Sequence, residues 1–311
     1  MKFLFAIAFF SFALLSQAGE KRQWTSSDGK NSFEGELIEF TAAEAKIKRA
    51  TDFQIFKMGL DRLSTADQTF VRGLLRERAR DTGLKEGPYA QKITGEFVPT
   101  KSKQGLNYQV FGNPKLDGKE RYPLVIWLHG SGQSGDDNKS QMGGATKVFT
   151  SEANQAERPC FMIAPQCPDA NIGWKDGVAM NLVALIADMC DYLPIDESRI
   201  YLTGSSMGGS GSWYLAAKFP KIFAAVVPLC GGGDPKNAEV LKGIPIWCFH
   251  GDKDDMVPVE RSRTMFAAIK AVGGEKMKYS ELAGEGHGIT GVVYPKADLH
   301  EWIFAQRLVK E

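Results

Sequence analysis

Ser206 lies in Tyr201-Leu202-Thr203-Gly204-Ser205-Ser206-Met207-Gly208-Gly209, a serine with a glycine two positions to either side. An apolar, strand-like run precedes it and a helix-length segment follows. The serine is therefore expected on a sharp strand-to-helix turn that tolerates only tiny neighbours. Such a turn lifts Ser206 Oγ above a sheet, beside the positive end of a helix. A glycine-rich dinucleotide loop is the competing reading, but the motif comes far into its domain. No acidic residue about twenty positions on closes a second strand, as that fingerprint demands. A serine hydroxyl becomes a nucleophile only when an imidazole takes its proton and a carboxylate holds the imidazole.

The chain has four histidines, so elimination is informative. With the partners in the chain order serine, acid, histidine, only His287 and His300 come late enough. His300 lies among Asp298, Glu301 and Trp302 in a terminal helix and is expected at the surface. His287 follows the last expected strand in Gly284-Glu285-Gly286-His287-Gly288, where a loop can bring its ring over Ser206. The acid belongs after the strand at 244–249, in His250-Gly251-Asp252-Lys253-Asp254-Asp255-Met256-Val257-Pro258. Asp254 is the preferred member of three carboxylates that spacing alone does not separate. Asp252 and Asp255 are expected to be solvated or to cap the helix near Pro258. His250 is expected to pack or hydrogen-bond locally. Negative charge developing on a substrate oxygen needs preorganised donors. The Met207 N–H is one, and the Ser131 N–H of His129-Gly130-Ser131-Gly132 is the other, with Gly130 as a substrate-contacting position and His129 structural.

These residues need a frame. From Ile93 onward, apolar runs at 93–98, 106–111, 124–128, 161–165, 200–203, 223–228, 244–249 and 278–282 read as strands. Amphipathic segments at 179–192, 207–219, 259–272 and 297–309 read as helices between the later ones. Alternating strands and helices predict an α/β fold, a mainly parallel sheet covered on both faces. Residues 22–63 differ. Phe33, Gly35 and Leu37 alternate with polar residues, Ala45 and Ile47 do the same, and Ser27-Asp28-Gly29-Lys30 reads as a turn. A helix capped by Ser64 carries Phe70, Val71, Leu74 and Leu75 on one side, and Arg72, Arg76, Arg78 and Arg80 form a solvated basic face. The expected organisation is a signal peptide at 1–18, a small module at 19–81, a linker at 82–91 and the α/β domain at 92–311.

Composition sets the limits. The 311 residues are 43% hydrophobic, 24% charged and 11% aromatic, with a net charge of +1, which describes a folded protein. That charge leaves no electrostatic footprint for nucleic acid or an anionic membrane. Lys2, the apolar run 3–15 and the ending Ser16-Gln17-Ala18 form a secretory signal, cut after Ala18. The run is too short for a bilayer, which needs about 20 residues. Export, periplasmic or extracellular, is the expected destination, with no stable membrane insertion afterwards. Of the five cysteines, Cys160 and Cys167 can pair only if the chain bends back, and Cys190, Cys230 and Cys248 read as buried thiols. No cluster has zinc spacing, and neither metal nor cofactor is expected.

Two resemblances add to this. Arg22-Gln23-Trp24-Thr25, Asp28-Gly29-Lys30 and Leu60-Asp61-Arg62-Leu63-Ser64-Thr65-Ala66-Asp67 resemble the first homology domain of Sla-type adaptors. This implies a small SH3-like β-barrel serving as a binding or spacer module and assigns no ligand; a protein or cell-envelope ligand is the expected partner, and an actin-related role does not transfer. Leu128-His129-Gly130-Ser131-Gly132, Gly204-Ser205-Ser206-Met207-Gly208-Gly209 and His250-Gly251-x-x-Asp254-x-x-Val257-Pro258 resemble the α/β-hydrolase superfamily over about 93–311. The resemblance is to its carboxylesterase/phospholipase and dienelactone-hydrolase-like branch, near exported feruloyl-type esterases and prolyl-oligopeptidase-like proteins. It implies Asp254 as the acid. It also implies that Trp174, after Ala164-Pro165-Gln166, lines the acyl or alcohol site, simple packing being the alternative. The short connection before Ile244 has no room for a helical lid, which favours a soluble or polysaccharide-linked ester over emulsified lipid. Three functions are distinguishable by experiment: a serine carboxylesterase, a serine peptidase acting on small peptides, and a non-catalytic binding protein.

Overall fold

The computed structural model describes residues 20–82 and 84–309, so the expected signal at 1–18 lies outside the described residues. The chain divides into two units: residues up to 90 with 117–120 and 189–194, and residues 91–116, 121–188 and 195 onward.

The smaller unit is an antiparallel meander of β1 (Lys21–Thr25), β2 (Ser32–Phe40), β3 (Glu44–Arg49) and β4 (Ile55–Gly59), in that spatial order. The period-two pattern has its cause here: Leu37, Ala45 and Ile47 are buried, while alternate residues face solvent. The turn at 27–30 forms with Gly29 at φ +73°, a conformation glycine adopts without strain. The sheet is open, since β1 and β4 do not pair; a lone bridge, Ser26 to Leu63, is what approaches closure among the described residues. The expected barrel is thus present only as its sheet.

Helix α1 (Thr65–Thr82) begins as its capping residue predicts, with Ser64 Oγ accepting from the Asp67 N–H at 3.2 Å. Asp67, buried, also accepts from Arg22 Nη2, the Thr25 N–H and Ser64 Oγ, which ties the helix start to β1. Val71, Leu74 and Leu75 pack against Trp24 and Ile47. Arg78 is exposed as expected, whereas Arg72 pairs with Asp191 of the same unit at 3.0 Å. Trp24 is fully buried, donates to the Gly35 carbonyl at 3.0 Å and meets Phe70 edge-on. Trp24→Ala is expected to cost about 3–5 kcal/mol of stability, read from the urea midpoint of the intact chain. A midpoint within error of the parent would show that this cluster does not hold the unit.

The larger unit is built on an eight-stranded sheet, ordered β12-β11-β10-β9-β7-β8-β6-β5. The strands are β5 (Val98–Lys101), β6 (Asn107–Phe111), β7 (Tyr122–Leu128), β8 (Phe161–Pro165), β9 (Ile195–Ser205), β10 (Ala225–Leu229), β11 (Ile246–Gly251) and β12 (Met277–Leu282). From β12 to β8 the pairs are parallel; β6 runs antiparallel to β8, and β5 to β6. β8 and β10 are buried at every position, as strands covered on both faces must be. The main helices are α2 (Asp176–Tyr192), α3 (Met207–Lys218), α4 (Glu260–Ala271) and α5 (Ala297–Ala305). Trp127, Phe149, Tyr201, Tyr294 and Ile303 belong to one contiguous hydrophobic core.

Three local expectations are corrected. No strand forms at 93–97, because Gly95 turns at φ +89° and the first strand starts at Val98. The strand expected from Ile244 starts at Ile246, after Pro245, which has no N–H for the ladder. His300 is buried rather than at the surface. Its Nδ1 lies 3.0 Å from Asn154 Oδ1, its Nε2 lies 2.7 Å from the Tyr294 carbonyl, and its ring packs on Phe149.

Candidate active site

Ser206 sits between β9 and α3 with φ +60° and ψ −119°, a backbone shape costly for a non-glycine residue and held by its surroundings. Its N–H donates to the Leu229 carbonyl at 2.9 Å, pinning the turn to the end of β10. The flanking glycines are sterically required. A Cβ at Gly204 would lie 2.5 Å from the Gly208 carbonyl oxygen, and one at Gly208 would lie 2.0 Å from the Leu128 carbonyl oxygen.

Asp254 follows β11, and His287 follows β12. His287 Nδ1 lies 2.7 Å from Asp254 Oδ2, which leaves its Nε2 free for another partner. Asp254 Oδ1 accepts from the Met256 N–H at 2.9 Å and the Val257 N–H at 2.8 Å. Burial pushes the Asp254 carboxyl up, but the Val257 amide, His287 and the Met256 amide outweigh it and hold the group below the usual carboxylate value. Asp252 and Asp255 are exposed, and Asp252 accepts from the Gly284 N–H, closing the loop that carries His287.

Met207 and Ser131 are the first residues of α3 and of a 3₁₀ turn at Ser131–Gln133. At that position an amide has no partner within its own helix. A Cβ on Gly130 would lie 3.5 Å from Ser206 Cβ, so this loop packs directly against the serine. The loop is braced from behind. His129 is fully buried, and its Nε2 accepts from the Cys167 N–H at 2.9 Å, so Nδ1 carries the proton donated to the Gly130 carbonyl. Burial keeps its pKa below the usual histidine value, which favours this neutral form.

Trp174 does not line an open site. It is 1% exposed, donates from Nε1 to the His129 carbonyl at 3.1 Å and stands edge-on to the His129 ring. Its role is to hold the loop, the packing alternative rather than substrate contact.

Two contributors escaped the sequence reading. Gln133 Oε1 accepts from the Gly130 N–H, and its Nε2 donates to the Ser140 carbonyl, which shapes the loop from within. The three-residue spacing from Gly130 was the available signal. His250, fully buried, places Nε2 3.1 Å from Asp254 Oδ2 and 2.9 Å from the Val257 carbonyl, with Nδ1 2.7 Å from Ser262 Oγ. Local bonding was expected of it; its contact with the carboxylate was not.

All five cysteines are buried, and none forms a disulfide among the described residues. Cys230 Sγ donates to the His287 carbonyl at 3.3 Å, and burial pushes this thiol up to about 12. Its sulfur, the Asp254 carboxylate and the His287 ring offer atoms within 4.8 Å of one another, a potential ligand set whose carboxylate and imidazole are already engaged with each other.

Residues 175–298 match the family model described as Phospholipase/Carboxylesterase. A solved thermostable esterase is 34% identical, with a TM-score of 0.64 over 68% of this chain and 63% of that one. The protein named "Probable feruloyl esterase C" of Aspergillus terreus is 30% identical over 152 residues, 46% of this chain and 53% of that one. A feruloyl esterase module from Clostridium thermocellum, solved with sinapinate, shares the fold at 14% identity and a TM-score of 0.52. The chain thus covers less than two thirds of the thermostable esterase and of the Aspergillus relative. Strand order, the turn at Ser206 and these similarities together give the larger unit the α/β-hydrolase fold, with phospholipase/carboxylesterase-type sequence along 175–298.

Proposed function

We propose that this chain is an exported serine hydrolase that cleaves carboxylic esters through an acyl-enzyme. The observation that carries the reading is the 2.7 Å contact between His287 Nδ1 and Asp254, on loops from the same end of the sheet as the strained Ser206 turn. Ser206 Oγ attacks the ester carbonyl carbon while His287 Nε2 takes its proton. Asp254 stabilises the imidazolium, and the Met207 and Ser131 amides hold the oxyanion. The proton then passes to the departing alcohol. Water, deprotonated by the same imidazole, releases the acid and restores Ser206.

The connection from β10 to β11 carries only a 3₁₀ turn and a one-turn helix at Ala238–Leu241, which supports an open cleft suited to small or polysaccharide-linked esters. Export rests on the features of residues 1–18, and a protein or cell-envelope ligand is proposed for the N-terminal module. Among the described residues, no helix is long and apolar enough to cross a membrane.

Ser206→Ala is expected to abolish fluorophosphonate labelling and to lower short-chain p-nitrophenyl ester turnover by about 10⁴-fold or more. Labelling that survives the substitution overturns the assignment. Matched ester and amide substrates, with feruloyl and acetyl esters among them, separate an esterase from a peptidase.

A further inference from the structure

Beside the serine lies a second feature that the hydrolytic mechanism leaves unused. A cavity of about 300 Å³ opens between the first turns of α3, the loop after β10 and the start of α4. Ser210, one helical turn from Ser206, is in its wall, and the Gly232 N–H donates to Ser210 Oγ at 3.2 Å. The loop carrying Gly232 leaves β10 just past Leu229, whose carbonyl pins the Ser206 N–H. Ser210 thus stands about one helical turn, roughly 5 Å along the axis, from the nucleophile's position, a span that a short acyl or alcohol chain can cross.

Its chemistry is divided. The inner wall is apolar, with Trp213 and Met265 both almost completely buried. The rim carries Lys175 and Arg261, both exposed, and neither forms an ion pair among the described residues. Asp234 is the one acid in the lining, and its Oδ1 already accepts from the Lys236 N–H at 3.0 Å. Two uncommitted cations at the rim of an apolar slot match a short carbon chain that ends in an anion.

We infer that this cavity is a subsite for a carboxylate carried by the substrate, so that the enzyme prefers esters whose acid or alcohol part bears a second, free carboxyl group. The inference rests on the hydrolase reading above and narrows its substrate class.

The test compares p-nitrophenyl hexanoate with the mono-p-nitrophenyl ester of glutaric acid, which is alike in reach and anionic. The parent is expected to favour the anionic ester in kcat/KM. Arg261→Ala and Lys175→Ala should each reduce the anionic-to-neutral ratio about fivefold, mainly through KM, with Arg261→Lys restoring part of it. Raising the salt to about 0.5 M should erode the same ratio. A ratio that neither variant nor salt moves overturns the subsite, as does a parent that favours the neutral ester. A second readout needs no turnover: in Ser206→Ala, glutarate should quench tryptophan fluorescence more strongly than butyramide, and Arg261→Ala should remove the difference. If neither ester is hydrolysed and Ser206 resists fluorophosphonate, the hydrolase reading fails, while the quenching result still decides the subsite.

Discussion

Asp254→Asn is expected to lower kcat on short-chain esters by about 10⁴-fold with little loss of folding stability. The reason lies in the two faces of the carboxyl group. Oδ1 is held by the Met256 and Val257 amides, which donate and so require an oxygen there. The new amide must therefore keep its carbonyl on that side and turn its NH₂ toward His287. Facing a donor, His287 Nδ1 has to accept, so its proton moves to Nε2. An Nε2 that already carries a proton cannot take one from Ser206. His250 keeps the Val257 carbonyl at 2.9 Å as an alternative acceptor, so the fold survives. A fall of less than about tenfold would mean that the acid does not set the tautomer, and the role would pass from Asp254.

Gly208→Ala is expected to disrupt the turn that carries Ser206. A Cβ there meets the Leu128 carbonyl oxygen at 2.0 Å and carbon at 2.5 Å, both backbone, so no side-chain rotation relieves the clash. Either α3 or the end of β7 must move, and β7 leads directly into the loop that carries Ser131. About 3 kcal/mol of stability should be lost, visible in the urea midpoint. The remaining folded protein should lose about 100-fold in kcat, because a shift near 1 Å misplaces an oxyanion donor. Gly291→Ala is the control, since nothing lies within 4 Å of the added methyl. Equal behaviour of the two variants would refute the steric account of the turn.

The residues that were readable from the chain are those whose requirement is local. Ser206 is announced by the glycines around it, because a backbone carbonyl stands where their side chains would be. The parallel strands are readable because burial on both faces demands uninterrupted apolar runs, as in β8 and β10. The proposed acid was legible only to a group of three, since the Met256 and Val257 amides that hold Asp254 belong to a turn that residue spacing does not report. Trp174 and His300 were misplaced for a common reason. Each is assigned by packing against chain far away in sequence, His129 for one and Phe149 with Asn154 for the other. Whether the N-terminal sheet closes is likewise a matter of long-range pairing between β1 and β4, which alternation within a strand does not report.

The sealed thiols carry a consequence for how the molecule ages. Cys160 and Cys248 are fully enclosed, and burial pushes both up to about 12, so in the native state almost none of either is thiolate and oxidants find little to attack. Protection of this kind is conditional on the fold. Unfolding releases every sulfhydryl together, at ordinary acidity and with no native partner to prefer, so air converts a reversible excursion into scrambled crosslinks. Shelf life in aerated solution is then governed by how often the core opens rather than by the chemical resistance of any one sulfur.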